Sequence, residues 1–426
     1  MTEQHISVVR SSYPNKPLKY CVDRRVQKVV ASSTDLDTIG LSDVEQGTGK
    51  LKEIGEEESV SGKGVKFYPG DVLFGKLRPY LTKGFIADSE GVASSEFLVL
   101  EPKSFTPEFL LNLLLSKEFI DKVNASTYGA KMPRASWDFI GDMDVPCPAI
   151  DIQTRVVDYI NNIIPDVEQT ILELEQFQST AKERAAKRRE DLVTVGLGSG
   201  EKVDSGVGWI GEIPEHWDVV RTRFVAELHS GHTPSKSNDE YWEDADIPWV
   251  SLADSDRIRH NDYISETEKY TNEKGLANSS AHILPKGTVV FTRDATVGLC
   301  SIIDRPMAVS QHIVGWVCGP RILPKYLLNV LKSMDQEYDR LTRGSTISTI
   351  GMHDIEGFKT PLPPLEEQRE IVDHIETETD RLGELIDRVE ETINLLEEKR
   401  QALITAAVTG QIDVSDVKNE AKASHT

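Results

Sequence analysis

Pro361-Leu362-Pro363-Pro364-Leu365-Glu366-Glu367-Gln368 decides how this 426-residue chain is read. A Pro-x-Pro step enforces an extended entry. Acidic residues follow at once, where a helix N-terminus favours negative charge. Beyond them Leu382, Leu385, Val389, Ile393, Leu396, Leu403 and Ala407 keep 3/4 apolar spacing around Arg400. The same plan occurs once before, half a chain earlier. Val145-Pro146-Cys147-Pro148 matches Thr360-Pro361-Leu362-Pro363, and Gln153, Val157 and Ile160 match Gln368, Val372 and Ile375 at the same offset. After it Ile164, Val167, Ile171, Leu174, Ala181, Ala185, Leu192 and Val195 repeat the spacing, with Gln178 and Arg188 as polar members. Sustained heptads favour coiled-coil pairing.

The repeat extends upstream. Pro69–Phe74 (PGDVLF) is echoed by Lys286–Phe291 (KGTVVF), and Thr106–Leu111 (TPEFLL) by Leu323–Leu328 (LPKYLL), with one offset for both pairs. Ordered matches at nearly constant offset identify a divergent duplication. Short β-like runs (Val72–Phe74, Phe97–Leu100, Val289–Thr292, Ile313–Val317) mix with helical stretches at Pro107–Val123 and Pro324–Leu341. The expected fold class is α+β: two pseudo-repeated mixed α/β globules separated by two long helices that pair as an antiparallel coiled coil. The expected divisions are a first globule at 1–150, a helix at 151–198, a second globule at 199–365, a helix at 366–410, and a disordered tail at 411–426. Pro165 should start or kink the first coiled segment, and Gly196-Leu197-Gly198 and Thr409-Gly410 should end the helices.

Composition narrows the function. A membrane-spanning helix needs about 20 consecutive apolar residues, and no run approaches that length; Phe109–Leu115 is already interrupted by Asn112. The N-terminus has no apolar signal region, so secretion is not expected either. Cys21, Cys147, Cys300 and Cys318 are widely separated in sequence and form no C-x-x-C, which gives no support for a disulfide framework or zinc knuckle. A reduced, cytoplasmic protein is expected. The net charge is −22. It divides as −3 over residues 1–150, −3 over 151–200, −7 over 201–365 and −9 over 366–426. An independent, high-affinity nucleic-acid binder needs clustered Lys and Arg, so any DNA contact must draw on local patches or a partner.

Catalytic motifs are sparse. Gly70–Lys76 (GDVLFGK) has the spacing of a phosphate loop, but Leu77 stands where a Ser or Thr should hold Mg²⁺, and Val72-Leu73-Phe74 reads as a strand. An enzyme using Lys76 in that way would bind nucleotide as an isolated chain. No Asn-Pro-Pro-aromatic adenine pocket is present; the Pro-Pro pair is Pro363-Pro364. Asp166 and Glu397-Glu398-Lys399 could form a nuclease set only on the coiled helices, where charges are solvated. His229-x-x-His232 has no evident third ligand. The chain reads as non-catalytic, with no cofactor or metal of its own.

Gly208–Trp217 (GWIGEIPEHW), Ser230–Ser235 (SGHTPS), Tyr241-Trp242, Ile247–Val250 (IPWV), Ala295–Gly298 (ATVG) and Pro361–Gln368 complete the pattern. In this order and spacing, with the duplicated helix, the chain resembles the DNA-specificity subunit of type I restriction–modification systems over nearly its whole length. The first half keeps Pro146-x-Pro148 and Gln153 but lacks the acidic residue before the Gln.

The resemblance implies that each globule is a target-recognition domain for one half of a bipartite double-stranded DNA site. It implies that the paired helices set the spacer and dock two methylation subunits. Those partners would bind S-adenosylmethionine and methylate adenine N6. With two restriction subunits, the complex would translocate and cut DNA using ATP and Mg²⁺. Base reading needs exposed donors and acceptors at loops and strand ends. The candidates are Lys76, Arg78, Tyr80, Tyr128, Lys131 and Arg134 in the first globule. In the second they are Thr233, Ser235, Arg293, Thr296, Gln311, Arg343 and Ser345. A coiled-coil protein scaffold without DNA recognition is the alternative of another class.

Overall fold

The computed structural model describes residues 13–52, 62–127, 132–343, 348–412 and 414. Tyr128, Lys131, Ser345 and all but residues 411, 412 and 414 of the 411–426 tail lie outside them. The chain forms two compact units, Met1–Glu175 with Val389–Thr426, and Gln176–Arg388.

In the first unit a four-stranded antiparallel sheet has the order Val22–Arg25, Phe97–Pro102, Val72–Gly75, Gly84–Ile86. A second sheet orders Lys28–Val30, Lys63–Phe67, Gly91–Ala93 and Thr38–Ile39, the last pair parallel. The second unit repeats the first sheet and three strands of the second. Ala226–Ser230, Ile313–Cys318, Val289–Thr292 and Cys300–Ile303 form the same row, with Tyr263–Ile264 added at its edge. Its companion sheet orders Tyr270–Thr271, Ile247–Val250, Met307–Val309 and Ile283–Leu284, and Trp249–Val250 again runs parallel to its neighbour. Register repeats too: Val72 faces Leu100 as Val289 faces Trp316.

The long helices are Ile150–Val195 and Leu365–Val408. The first unit buries Val156 and Ile160 near the start of one together with Ile404, Ala407 and Val408 at the end of the other. The second buries Ile371, Val372 and Ile375 with Leu192 and Val193. Each unit therefore pairs the beginning of one helix with the end of the other, so the two run antiparallel. Gly196 and Gly410 close them with φ +73° and +76°.

The structure corrects several sequence expectations. The first long helix runs from Ile150 through Pro165, which lies exposed inside it, so no new helix starts there. Proline removes one intrahelical hydrogen bond, and the long flanking segments carry the helix across. The expected helix at 107–123 is two, Pro107–Leu115 and Lys117–Ala125, broken where Ser116 turns extended. Its counterpart is Pro324–Leu331 and Asp335–Thr342. Leu385 is 42% exposed, outside the seam. Arg188 is also exposed and reaches Glu378 at 3.6 Å, while Arg189 turns inward. Cys21 and Cys147, distant in sequence, bring their thiols to 3.8 Å in the first core.

Gln153 and Gln368, both fully buried, explain why the Pro-x-Pro entry carries a glutamine. Gln153 Oε1 accepts from the Thr106 N–H at 2.8 Å, and its Nε2 donates to the Ser104 and Pro148 carbonyls, each at 2.9 Å. Gln368 accepts from the Leu323 N–H at 2.9 Å and donates to the Arg321 and Pro363 carbonyls at 2.9 Å. One amide thus ties the helix entry to the strand–helix connection in each unit.

Candidate nucleic-acid interface

The phosphate-loop reading of residues 70–76 does not survive the fold. Val72–Gly75 is a buried central strand. The Gly75 N–H donates to the Lys83 carbonyl at 2.8 Å and the Lys76 N–H to the Glu96 carbonyl at 2.9 Å. Amides committed to a sheet cannot cradle a phosphate. His229 is occupied by His282, ring nitrogen to ring nitrogen at 3.0 Å.

The loop leaving this strand is built twice. In the first unit the Ala135 N–H donates to the Lys76 carbonyl at 2.9 Å, Leu77 bridges Arg134, and the Arg78 N–H donates to the Pro133 carbonyl at 2.7 Å. In the second the Ile350 N–H donates to the Arg293 carbonyl at 2.9 Å, Asp294 bridges Thr349, and the Ala295 N–H donates to the Ser348 carbonyl at 2.9 Å. Lys76 and Arg293 also hold the preceding connection, through the carbonyls of Glu96 and His312. The stretch after the shared strand is thus fixed in the same way by a neighbouring loop in both units.

The side chains on this frame differ. In the first unit Arg134 forks onto Glu96 at 2.8 and 3.0 Å. Burial pushes the Lys76 ammonium below its ordinary pKa; Glu96 opposes this, and Arg24, Arg134 and Lys28 reinforce it. With Arg134 paired to Glu96, Lys76, Arg24 and Lys28 leave a local excess of positive charge here on an otherwise acidic chain. Arg78 and Tyr80 are exposed, Tyr80 by 50%.

In the second unit a polar chain replaces the ion pair. Asp294 Oδ2 meets His312 Nδ1 at 2.7 Å, His312 Nε2 meets Gln311 Nε2 at 3.0 Å, and the Thr233 hydroxyl donates to Gln311 Oε1. Thr296 meets Ser255 at 3.2 Å, and Arg293 Nε donates to the Ile350 carbonyl at 3.2 Å. Gly231 lets Thr233 arrive: a Cβ there would stand 2.0 Å from the Val309 carbonyl oxygen. The fold therefore gathers Lys76, Arg78 and Arg134 in one unit and Thr233, Arg293, Thr296 and Gln311 in the other. Ser235 sits apart, against Ser237 at 3.0 Å, and Arg343 follows the helix Asp335–Thr342, exposed. Sequence reading missed Glu96, Asp294, Ala295 and His312. The nearly constant offset of the repeat, which pairs Glu96 with His312 and Arg78 with Ala295, was the available signal.

Comparison with known proteins agrees with this construction. Residues 214–395 match the family model described as the type I restriction modification DNA specificity domain. The chain is 31% identical over 164 residues to the MjaIX specificity subunit of Methanocaldococcus jannaschii, covering 38% of each protein. It is 24% identical over 344 residues to the MjaVIII subunit of that organism, 77% of this chain and 76% of the relative. A solved chain from a study of assembly and conformational transition of the type I R-M system shares the fold. The match has a TM-score of 0.72 at 19% identity, over 94% of this chain and 99% of that one. The HsdS subunit of Thermoanaerobacter tengcongensis matches at 0.51, also at 19% identity, over 96% and 100%. The chain thus shares the family's domain in its second half, and alignments to type I restriction–modification specificity subunits reach into its first.

Proposed function

We propose that this chain is the sequence-recognition subunit of a type I restriction–modification complex and carries no catalytic step itself. Each globule reads one half of a bipartite duplex site through the loop after its central strand. Residues 1–150 and 199–365 are the two target-recognition domains, and Lys76, Arg78, Arg134, Thr233, Arg293, Thr296 and Gln311 face the DNA. The observation that carries this reading is the loop built twice on one backbone frame with different polar side chains. A common frame delivers two readers, and divergent side chains let them read different bases.

The long helices set the spacer and dock two methylation subunits. Leu172, Phe177, Leu385 and Leu395, each more than 40% exposed, supply apolar contacts on them, and the charge of −9 over residues 366–426 suits basic partner surfaces. S-adenosylmethionine belongs to those methylation subunits. ATP and Mg²⁺ belong to two restriction subunits where the complex cuts DNA. The partners also supply phosphate contacts beyond the patch around Lys76, and the complex works in the cytoplasm.

A protein-only scaffold would leave the duplicated loop without a purpose and would show no DNA dependence. Co-expression with the methylation subunit and mapping of N6-methyladenine tests the reading. The expected result is one bipartite motif, and exchange of residues 205–360 for those of a relative should change one half-site alone. Both half-sites changing together, or methyl transfer by the purified chain without its partner, would overturn it.

A further inference from the structure

Four described non-glycine residues have positive φ: Arg78 at 50°, Thr82 at 46°, Asp244 at 47° and Ala295 at 62°. Two of the four, Arg78 and Ala295, occupy the same position of the repeat, at the offset that relates Pro69–Phe74 to Lys286–Phe291. An L-residue with a Cβ is strained in this region, and such strain persists only where the surroundings over-determine the backbone. Here they do so twice, through the same bridge and the same N–H to carbonyl bond described above. Glycine would relieve the strain at either place, yet neither position uses it.

The side chains at these positions are spent on nothing internal. Arg78 is exposed, and its guanidinium has no partner among the described residues; Ala295 is exposed as well. Their neighbours are occupied: Arg134 forks onto Glu96, and Arg293 donates to the Ile350 carbonyl. The left-handed turn thus presents one outward side chain per unit from a fixed backbone.

Resting on the recognition role proposed above, we infer that positions 78 and 295 are equivalent base-reading positions. Arg78 forks onto the O6 and N7 acceptors of a guanine in the major groove, and Ala295 leaves its half-site without a hydrogen bond there. A planar five-donor fork matches that pair of acceptors, whereas an alanine methyl offers no donor.

The test uses the chain assembled with its methylation subunit, with the methylated motif read genome-wide. Arg78→Gly keeps the left-handed backbone and removes the fork. It should relax one guanine position of one half-site, cutting discrimination there by about 10- to 100-fold and leaving the other half-site intact. Arg78→Lys, which keeps the charge and rotatable donors without the planar fork, should hold the guanine preference better than Arg78→Gly does. Ala295→Arg is the independent arm, because an arginine already occupies the equivalent backbone in the first unit. It should add a guanine preference at one position of the other half-site.

Weakened methylation spread evenly over all sequences would make Arg78 a phosphate contact and overturn the inference. So would an unchanged motif in all three variants. The recognition role fails by a different result: no bipartite motif from the unaltered complex, or both half-sites changing in the 205–360 exchange.

Discussion

Gln368→Leu removes an amide and keeps the volume, so it isolates three buried hydrogen bonds. The Leu323 N–H and the Arg321 and Pro363 carbonyls, each 2.9 Å from the Gln368 amide, lose their partner together. A buried polar group left unpaired costs about 1–3 kcal/mol. Arg321 is an exposed residue, so water can reach part of this site and the low end applies. Three groups at about 1 kcal/mol each give about 3 kcal/mol, a large share of the roughly 5–15 kcal/mol of a typical domain. For a unit of this size the melting temperature should fall by about 6–12 °C. Gln153→Leu breaks the same three bonds in the other unit and should cost a similar amount. The two sites share no partner, so the costs should add in the double variant. Differential scanning calorimetry of the full chain reads all three. A Gln368→Leu protein within about 0.5 kcal/mol of the parent would refute the claim that this amide anchors the helix entry.

Burial pushes the Cys21 thiol up to about 11 and those of Cys300 and Cys318 up to about 12. All three stay protonated at pH 8, so an alkylating reagent should label them slowly in the native chain and rapidly in urea, as mass spectrometry of the labelled peptides would show. Burial alone would raise the Asp262 carboxyl, but Lys332 at 2.5 Å and Lys325 at 3.1 Å hold it below its ordinary value. A depressed carboxyl stabilises the fold above the unfolded range near ~3.9 and loses that effect as pH falls through the folded value. Asp262→Asn should therefore melt lower than the parent at pH 7, with the gap closing towards pH 3 in a series of thermal melts. Inserting four residues after Leu174 lengthens the first long helix by about 6 Å, and methylome sequencing should show unchanged half-sites with a spacer longer by one or two base pairs. Methylation only at the original spacing by an intact complex would end the spacer role of the helices.

The helices and the duplication were legible because they rest on long-range periodicity. Ile150 and Leu365 start their helices within one residue of the expected 151 and 366, since Pro-x-Pro fixes the entry by sterics alone. Side-chain direction was less legible. A straight helix drifts against a seven-residue repeat, so one-residue choices such as Arg188 against Arg189, or Leu385 against Ile386, are settled by packing. The break after the first short helix is tertiary as well: past Ser116, the Lys117 N–H donates to the Thr405 hydroxyl of the second long helix at 3.1 Å. Strand partners such as Asn15–Pro17 with Asp144–Pro146 join the two ends of the first globule, and local pattern carries no trace of such pairing.

At the candidate interface the limit is of another kind. Residue chemistry singled out Lys76, Arg78, Arg134 and Arg293 because cations suggest DNA, but the fold assigns them unequal tasks. Arg134 is neutralised by Glu96 and Arg293 braces a loop, while Arg78 stands open. Ala295 entered the sequence pattern only as a motif residue and not as a base reader, because alanine carries no donor or acceptor; its backbone angle sets it apart. Comparing the two copies separates the roles. Gln153 and Gln368 keep both residue and bonds, as expected of groups that hold the frame. Leu77 and Asp294, Arg78 and Ala295, Glu96 and His312, and Arg134 and Thr349 keep their backbone bonds and exchange their side chains. A frame held by main-chain bonds tolerates such exchange without loss of fold, and that freedom is what two heads reading different bases require.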